Sequence, residues 1–316
     1  MDKKSQKVAI IGAGIIGLYL AWKLSQKGYQ VSVFEKKSEI GQKVCSGLIS
    51  ERIKNFIPIK DSVIENKIEF CLVHFPKKTV RLKLKPIHFA INRQKLDTAL
   101  YSLAQKAGAE ILLNQPIGEI LQGFDKIIGC DGSLSKIRKL LSLPSPSFRL
   151  GLQVFLPIED FSEQVKTWPA RNGFFWRIPR GENTEYGAIG QVKAMKEEFE
   201  DFCRSQKINF DRYTLKSALI PQGLVLPKTK NITLCGDAMG LTKPWSGGGI
   251  VWGLTAAEIL LKHFSDFEKY HKEIKKTFNF RILEGRFITS LVYLLGSNFP
   301  YLLPSKMIRD NDFPLF

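Results

Sequence analysis

Apolar residues fall into two rhythms along the 316-residue chain, and the rhythm changes at glycines. The run "KVAIIGAGIIG" is a continuous β-branched stretch entering glycines. "LYLAWKLSQKG" then has helical spacing and stops at Gly28, and "YQVSVFEKK" is extended again. Residues 7–36 therefore predict strand, turn, helix, strand. Between residues 66 and 91, "IEFCLVHF", "TVRLKLK" and "HFAINR" alternate with period two and predict short antiparallel strands. "RQKLDTALYSLAQKAGA" predicts an amphipathic helix and "KIIGCDG" a buried strand ending in a turn. Residues 149–220 return to strand patterns around one charged helix, "MKEEFEDFCRS". "NITLCGDA" is again a buried strand, and "GGGIVWGLTAAEILLKHF" a helix begun by glycines. This order predicts a parallel α/β nucleotide domain with antiparallel segments inserted twice. The stretch 286–309, "RFITSLVYLLGSNFPYLLPSKMIR", is apolar but interrupted by Gly296, Asn298, Pro300 and Pro304. It is too short and too broken for a membrane span. It is expected to pack as core, to lie at a membrane interface with Arg286, Lys306 and Arg309 near headgroups, or to do both.

The first turn carries chemistry. In Gly12-Ala13-Gly14-Ile15-Ile16-Gly17, Gly12 permits the tight turn and Gly14 lets a pyrophosphate approach the backbone. Gly17 lets the helix pack closely on the sheet, and the helix N-terminus offers oriented N–H groups. Glu35 ends the next strand at the spacing of a ribose-hydroxyl ligand. Its charge repels a 2′-phosphate, so the unit suits FAD or NAD rather than NADP.

Composition narrows the class. Five cysteines, odd in number and without a CxxC pair, argue against a disulfide framework or zinc site and fit a reducing cytosol. No metal site is expected. The four histidines show no ligand spacing, and neither GxSxG nor HExxH occurs. The first residues run straight into a strand without an apolar signal region, which predicts a cytoplasmic protein. The formal charge of +17 is spread over scattered lysines without a nucleic-acid motif. It reflects either an A+T-rich genome or attraction to an anionic membrane surface.

Two more motifs choose between the dinucleotides. "IIGCDGSLSKIR" places Asp131-Gly132 at the end of a strand. "ITLCGDAMGLTKPWSGGGI" places Gly236-Asp237 at the end of another, before a loop with Pro244 and three glycines. Together with the first turn they resemble the fingerprints of the flavoprotein superfamily of para-hydroxybenzoate hydroxylase and the geranylgeranyl reductases. The resemblance covers close to half the chain and implies FAD as the bound cofactor. It implies a cofactor role for Asp237, for Gly248, Gly249 and Ile250 where backbone passes the flavin ring, and for Arg93, which begins the long helix. In "GQKVCSGLIS" the segment after the ribose acid resembles the Cys-x-Gly loop of the geranylgeranyl reductase branch. This puts Cys45, Ser46 and Gly47 beside the flavin. "GFFWRIPRG" resembles that family's aromatic-x-Trp-x-Phe-Pro-Lys segment, which lines an isoprenoid pocket and implies substrate contacts for Phe174, Trp176 and Pro179. Phe174, Ile178 and Arg180 replace the usual Tyr, Phe and Lys.

Cys45 keeps three readings: a polarizable wall against the flavin, a thiol that donates a proton or tunes the ring, or a redox partner. The last needs a second cysteine nearby, and none is adjacent in sequence.

The resemblance implies an α/β fold: a doubly wound, Rossmann-like FAD-binding domain (1–66, 91–148 and 221–262), an inserted antiparallel substrate-domain sheet (67–90 and 149–220) and C-terminal helices (263–316). The expected function is FAD-dependent saturation of carbon–carbon double bonds in a geranylgeranyl-type isoprenoid lipid or precursor, with Cys45 as the candidate catalytic residue. The expected partners are the lipid, an external electron donor (NAD(P)H or a reduced carrier protein) and an anionic membrane surface, without nucleic acid. A flavin-dependent monooxygenase and a non-catalytic flavin- or lipid-binding protein are the alternatives.

Overall fold

The computed structural model describes residues 6–170 and 173–313. The chain opens as β1 (Lys7–Ile11), α1 (Ile15–Gln26) and β2 (Gln30–Phe34). It continues through β3 (Leu48–Ser50), a long hairpin of β4 (Ile64–Phe75) and β5 (Lys78–Ile91), α2 (Arg93–Lys106), β6 (Glu110–Leu112), β7 (Lys126–Gly129) and α3 (Lys136–Leu140). The second inserted stretch is β8 (Ser147–Leu156), β9 (Gln164–Ala170), β10 (Gly173–Pro179), β11 (Thr184–Gly190), α4 (Met195–Ser205) and β12 (Lys216–Gln222). β13 (Ile232–Leu234), α5 (Ile250–Lys262), α6 (Phe267–Asn298) and β14 (Lys306–Arg309) follow.

Two sheets result. The first runs β13-β7-β1-β2-β6, every pairing parallel. Its central strand is apolar on both faces: Val8 to Ile11 are all buried, as a strand covered on both sides requires. The second runs β12-β8-β11-β10-β9-β4-β5-β14, with β3 added on β5, and is mostly antiparallel. α4 covers part of it: Met195, Phe199, Phe202 and Cys203 bury one face against Leu152, Val154, Phe175 and Tyr186. The α/β class with an inserted antiparallel sheet is as the sequence predicts.

Two local expectations are corrected. "TVRLKLK" and "HFAINR" form one strand, β5, although Pro86 lies between them. Pro86 is tolerated because the β4–β5 ladder is broken there: pairing jumps from Ile68↔His88 to Phe70↔Lys83. The C-terminal segment is not broken at Gly296 either. Helix α6 runs 32 residues through it, since a Cβ on Gly296 would lie 2.0 Å from the Phe75 ring. The glycine is there for close packing, not for a turn.

Candidate functional site

A cleft lies between the parallel sheet and the inserted one, lined from Gly14 through the 43–50 segment to Trp176 and the 242–251 loop. At its base, Gly12 has φ +104° and Gly17 would put a Cβ 1.9 Å from the Gly12 carbonyl, so both glycines are demanded by the turn. Gly14 differs. A Cβ there meets nothing within 4 Å, and Gly14 caps α1 without any side-chain acceptor. The positive end of α1 therefore faces the open cleft. Glu35 holds this turn: its Oε2 accepts from Ala13 N–H at 2.8 Å and its Oε1 from Lys37 N–H at 3.0 Å. Ile16 packs against the Gly236 and Gly253 backbones and joins α1 to the Asp237 turn.

Above this base, Cys45 reaches the cleft on a loop that turns at Gly47 (φ +62°), where a Cβ would meet the Ile91 carbonyl at 2.3 Å. The Cys45 Sγ accepts weakly from Gly47 N–H at 3.4 Å. Arg93 is buried at the start of α2, not solvated. One of its Nη groups donates to Asp97 at 2.9 Å, its Nε is buried without a partner, and it faces the Cys45 sulfur. Burial opposes its charge, but Asp97 and Cys45 outweigh burial and raise its pKa. Asp237 lines the cleft and pairs with Lys43 at 2.7 Å, which raises the Lys43 pKa. Gly248, Gly249 and Ile250 line the cleft beside it, a Cβ on Gly249 meeting the Asp237 Oδ1 at 2.8 Å, and Ile250 opens α5.

Of the three aromatic-segment residues, Trp176 reaches the cleft. Phe174 packs on it with ring centroids 5.9 Å apart, and the Pro179 carbonyl accepts from Asn66. Neither of these two is among the lining residues.

Two polar clusters hold the site together and went unread in the sequence. Arg180 binds Glu65 through Nε at 2.7 Å and Glu185 at 2.9 Å. It also donates to the carbonyls of Ser46 at 2.5 Å and Ile91 at 2.8 Å. Trp176 Nε1 donates to the same Glu185 at 3.0 Å. Burial pushes the Glu185 carboxyl up to about 7, against the pull of Arg180 and Trp176. One guanidinium thus ties β10 and β11 to the Cys45-Ser46-Gly47 loop. The second cluster gathers on residues 310–312. Asp312 is fully buried and accepts from Lys243 at 3.0 Å and from Ser50. Arg52 forks onto Asp310 at 2.6 Å, and the indoles of Trp245 and Trp252 donate to Asn311 and to the Asp312 carbonyl. Asp312 itself lines the cleft. The only sequence signal for this cluster was acidic residues close to the C-terminus, and nothing local assigns them to a site more than 60 residues away.

Among the described residues no group of His, Cys, Asp and Glu is placed to hold a metal. The residues do fit a dinucleotide. The missing Cβ of Gly14 leaves room at an uncapped helix N-terminus, and Arg93, whose buried Nε has no partner, lines the same cleft as Cys45.

Residues 10–48 match the NAD(P)-binding Rossmann-like domain family. A digeranylgeranylglycerophospholipid reductase of Methanococcoides burtonii is 22% identical, over 98% of this chain and 89% of its own. The crystal structure of a geranylgeranyl bacteriochlorophyll reductase-like protein from Thermoplasma acidophilum superposes with a TM-score of 0.79. It is 20% identical and covers 92% of this chain and 88% of its own. A halogenase solved in complex with FAD reaches 0.70 at 14% identity, over 93% of this chain and 77% of its own. The sequence motifs, the likeness along nearly the whole chain and the shared fold agree: the chain is similar to the geranylgeranyl reductases and has the fold seen in FAD-dependent flavoproteins.

Proposed function

We propose that the protein is an FAD-dependent oxidoreductase that saturates carbon–carbon double bonds of a geranylgeranyl-type lipid. The observation that carries the reading is one cleft shared by the uncapped α1 N-terminus, Cys45 and Trp176. FAD, when bound, supplies the hydride. Gly14 and the α1 N-terminus would hold its pyrophosphate, Asp237 its polar linker, and the Gly248–Gly249–Ile250 backbone its ring. Glu35, which also fixes the glycine turn through Ala13 N–H, would take a ribose hydroxyl.

The chain's own residues set the rest. An isolated trisubstituted alkene has no carbonyl to stabilise developing charge, so it must be aligned and given a proton. Trp176, fixed by Glu185, offers a flat apolar wall, with Phe174 tilted against it and Pro179 ending the strand. Cys45 Sγ is the proton-bearing atom assigned to the second alkene carbon. Arg180 keeps its loop against the substrate wall, and Arg93 faces the sulfur so that charge left by proton loss is met by a guanidinium. Electrons come from NAD(P)H or a reduced carrier protein. The lipid is collected at an anionic membrane, where the protein binds peripherally. Among the described residues no helix is long and apolar enough to cross a membrane.

The test is anaerobic. Holoprotein is reduced with dithionite and mixed with a detergent-dispersed geranylgeranyl lipid, and the product is weighed by mass spectrometry. A gain of one hydrogen molecule per double bond is expected. Unchanged lipid, or a product that gains oxygen once air is admitted, overturns the reading, the latter in favour of a monooxygenase.

A further inference from the structure

Helix α6 has two apolar faces, and packing explains only one. Ile274, Phe278, Ile282 and Gly285 are buried against the body of the protein. Phe280, Leu283, Phe287, Leu291 and Leu294 are exposed, the first three at 71%, 65% and 70%. At 3.6 residues per turn these five fall within about 80° of arc, centred about 180° from the buried face. Single exposed apolar residues need no explanation, but a stripe of five on one face does. Exposed Lys272, Lys275, Lys276 and Arg286 lie on the same helix. Its carboxylates are engaged or flanked by bases: Glu273 binds Lys262 and His263, and Glu284 faces Arg309.

The inner face of the same helix packs on the loop that follows Lys243 and on the start of β10, which carries Trp176. A Cβ on Gly285 would meet the Trp245 ring at 2.6 Å, and the Tyr293 hydroxyl donates to the Gly173 carbonyl at 3.1 Å, next to Phe174. Leu295 packs inward on the Phe75–Val80 cluster. Tyr293 and Leu295 are therefore not free for a membrane, although the sequence places them in the apolar segment. The stripe of five is.

We infer that the outer face of α6, Phe280 to Leu294, is a docking surface for an anionic lipid bilayer, lying flat in the interface with its cations at the headgroups. The inference rests on the lipid-reductase reading only for why a bilayer is approached. The charge selects the occupant. A second copy of the chain would bring a second net charge of +17 to the stripe and be repelled, whereas anionic headgroups are attracted. The apolar stripe adds a part that salt does not screen.

The experiment uses FAD-loaded protein and vesicles of phosphatidylcholine, with or without phosphatidylglycerol. Wild type should sediment with the anionic vesicles more than with the neutral ones, and binding should fall but persist as salt rises. F280S/F287S exposes less apolar surface and disturbs no buried contact. It should keep its FAD and its turnover on detergent-dispersed lipid, but lose vesicle partitioning about tenfold or more. Wild type that ignores anionic vesicles at low salt, or F280S/F287S that binds them equally, overturns the inference. So does a wild-type dimer in sedimentation velocity that F280S/F287S converts to monomer, since the stripe would then be a self-association surface. Vesicle binding without reductase activity in detergent would sink the proposed reaction and leave the docking surface standing.

Discussion

Gly14 and Gly17 look alike in the sequence, yet their missing side chains do different work. A methyl on Gly17 would collide with the Gly12 carbonyl inside the protein, whereas one on Gly14 points into empty cleft. Gly14→Ala should therefore fold with an unchanged melting temperature but recover at least about tenfold less FAD, as measured by flavin absorbance. Gly17→Ala should lose on the order of 1–3 kcal/mol in denaturant unfolding. Equal FAD content in Gly14→Ala and wild type would remove the pyrophosphate from that turn. Arg180 supplies the second residue-scale test. Lysine cannot reproduce a planar fork to Glu65, Glu185 and two carbonyls. Arg180→Lys should keep FAD yet slow anaerobic alkene reduction about tenfold or more, with the loss in kcat rather than KM, because the Cys45 loop loses its anchor. A variant that loses only stability would make Arg180 a structural residue and no more. The replacement of the family's lysine by Arg180 was visible in the sequence. What it grips was not, because its partners lie up to 134 residues away.

Among elements, the informative comparison is between the two ends of the chain. The β1–α1–β2 unit was readable because every signal in it is local: period, glycine spacing, and an acid at the right distance. The return of residues 310–312 into the site was not, since burying Asp312 depends on Lys243, Ser50 and Arg52 from two separate segments. These contacts also fix the loop that lines the cleft, for Lys243 N–H donates to the Gly248 carbonyl and its own carbonyl accepts from Gly247. Asp312→Asn keeps the shape but strands the buried Lys243. It should cost about 3 kcal/mol of stability, and it should weaken FAD affinity in a titration of refolded apoprotein. Unaltered stability and affinity would show that the C-terminal segment merely passes by. For the same reason, removing the C-terminal segment as a test of membrane binding would remove part of the site.

For the whole molecule, buried titratable groups set opposing pH dependences. Burial, with Lys243 nearby, lowers His88 to about 4. Between that value and the ordinary 6.5 the unfolded chain holds more protons, so stability rises with pH across this window and is lost as pH falls through it. Glu185 acts the other way. Burial raises it from 4.5 to about 7, the folded state holds the extra proton between these values, and stability falls as pH rises through them. Melting temperatures from pH 4 to pH 8 should therefore lose the rising component in His88→Gln and the falling one in Glu185→Gln. Unchanged profiles in both would mean that neither group titrates in the fold.

The fold class, the dinucleotide turn and the likeness to the geranylgeranyl reductases lay in the sequence alone, because turns, strand periods and glycine spacings are short-range properties that survive at low identity. Tertiary structure decided that Arg93 is buried facing Cys45, that Arg180 and Glu185 clamp the Cys45 loop to the Trp176 wall, and that Asp312 ties down the 242–251 loop. It also sorted the C-terminal apolar residues into an inner face that packs and an outer stripe that does not. Each of these is a meeting of residues far apart along the chain, and no local pattern encodes a partner that only the packing of two sheets and a long helix brings within reach.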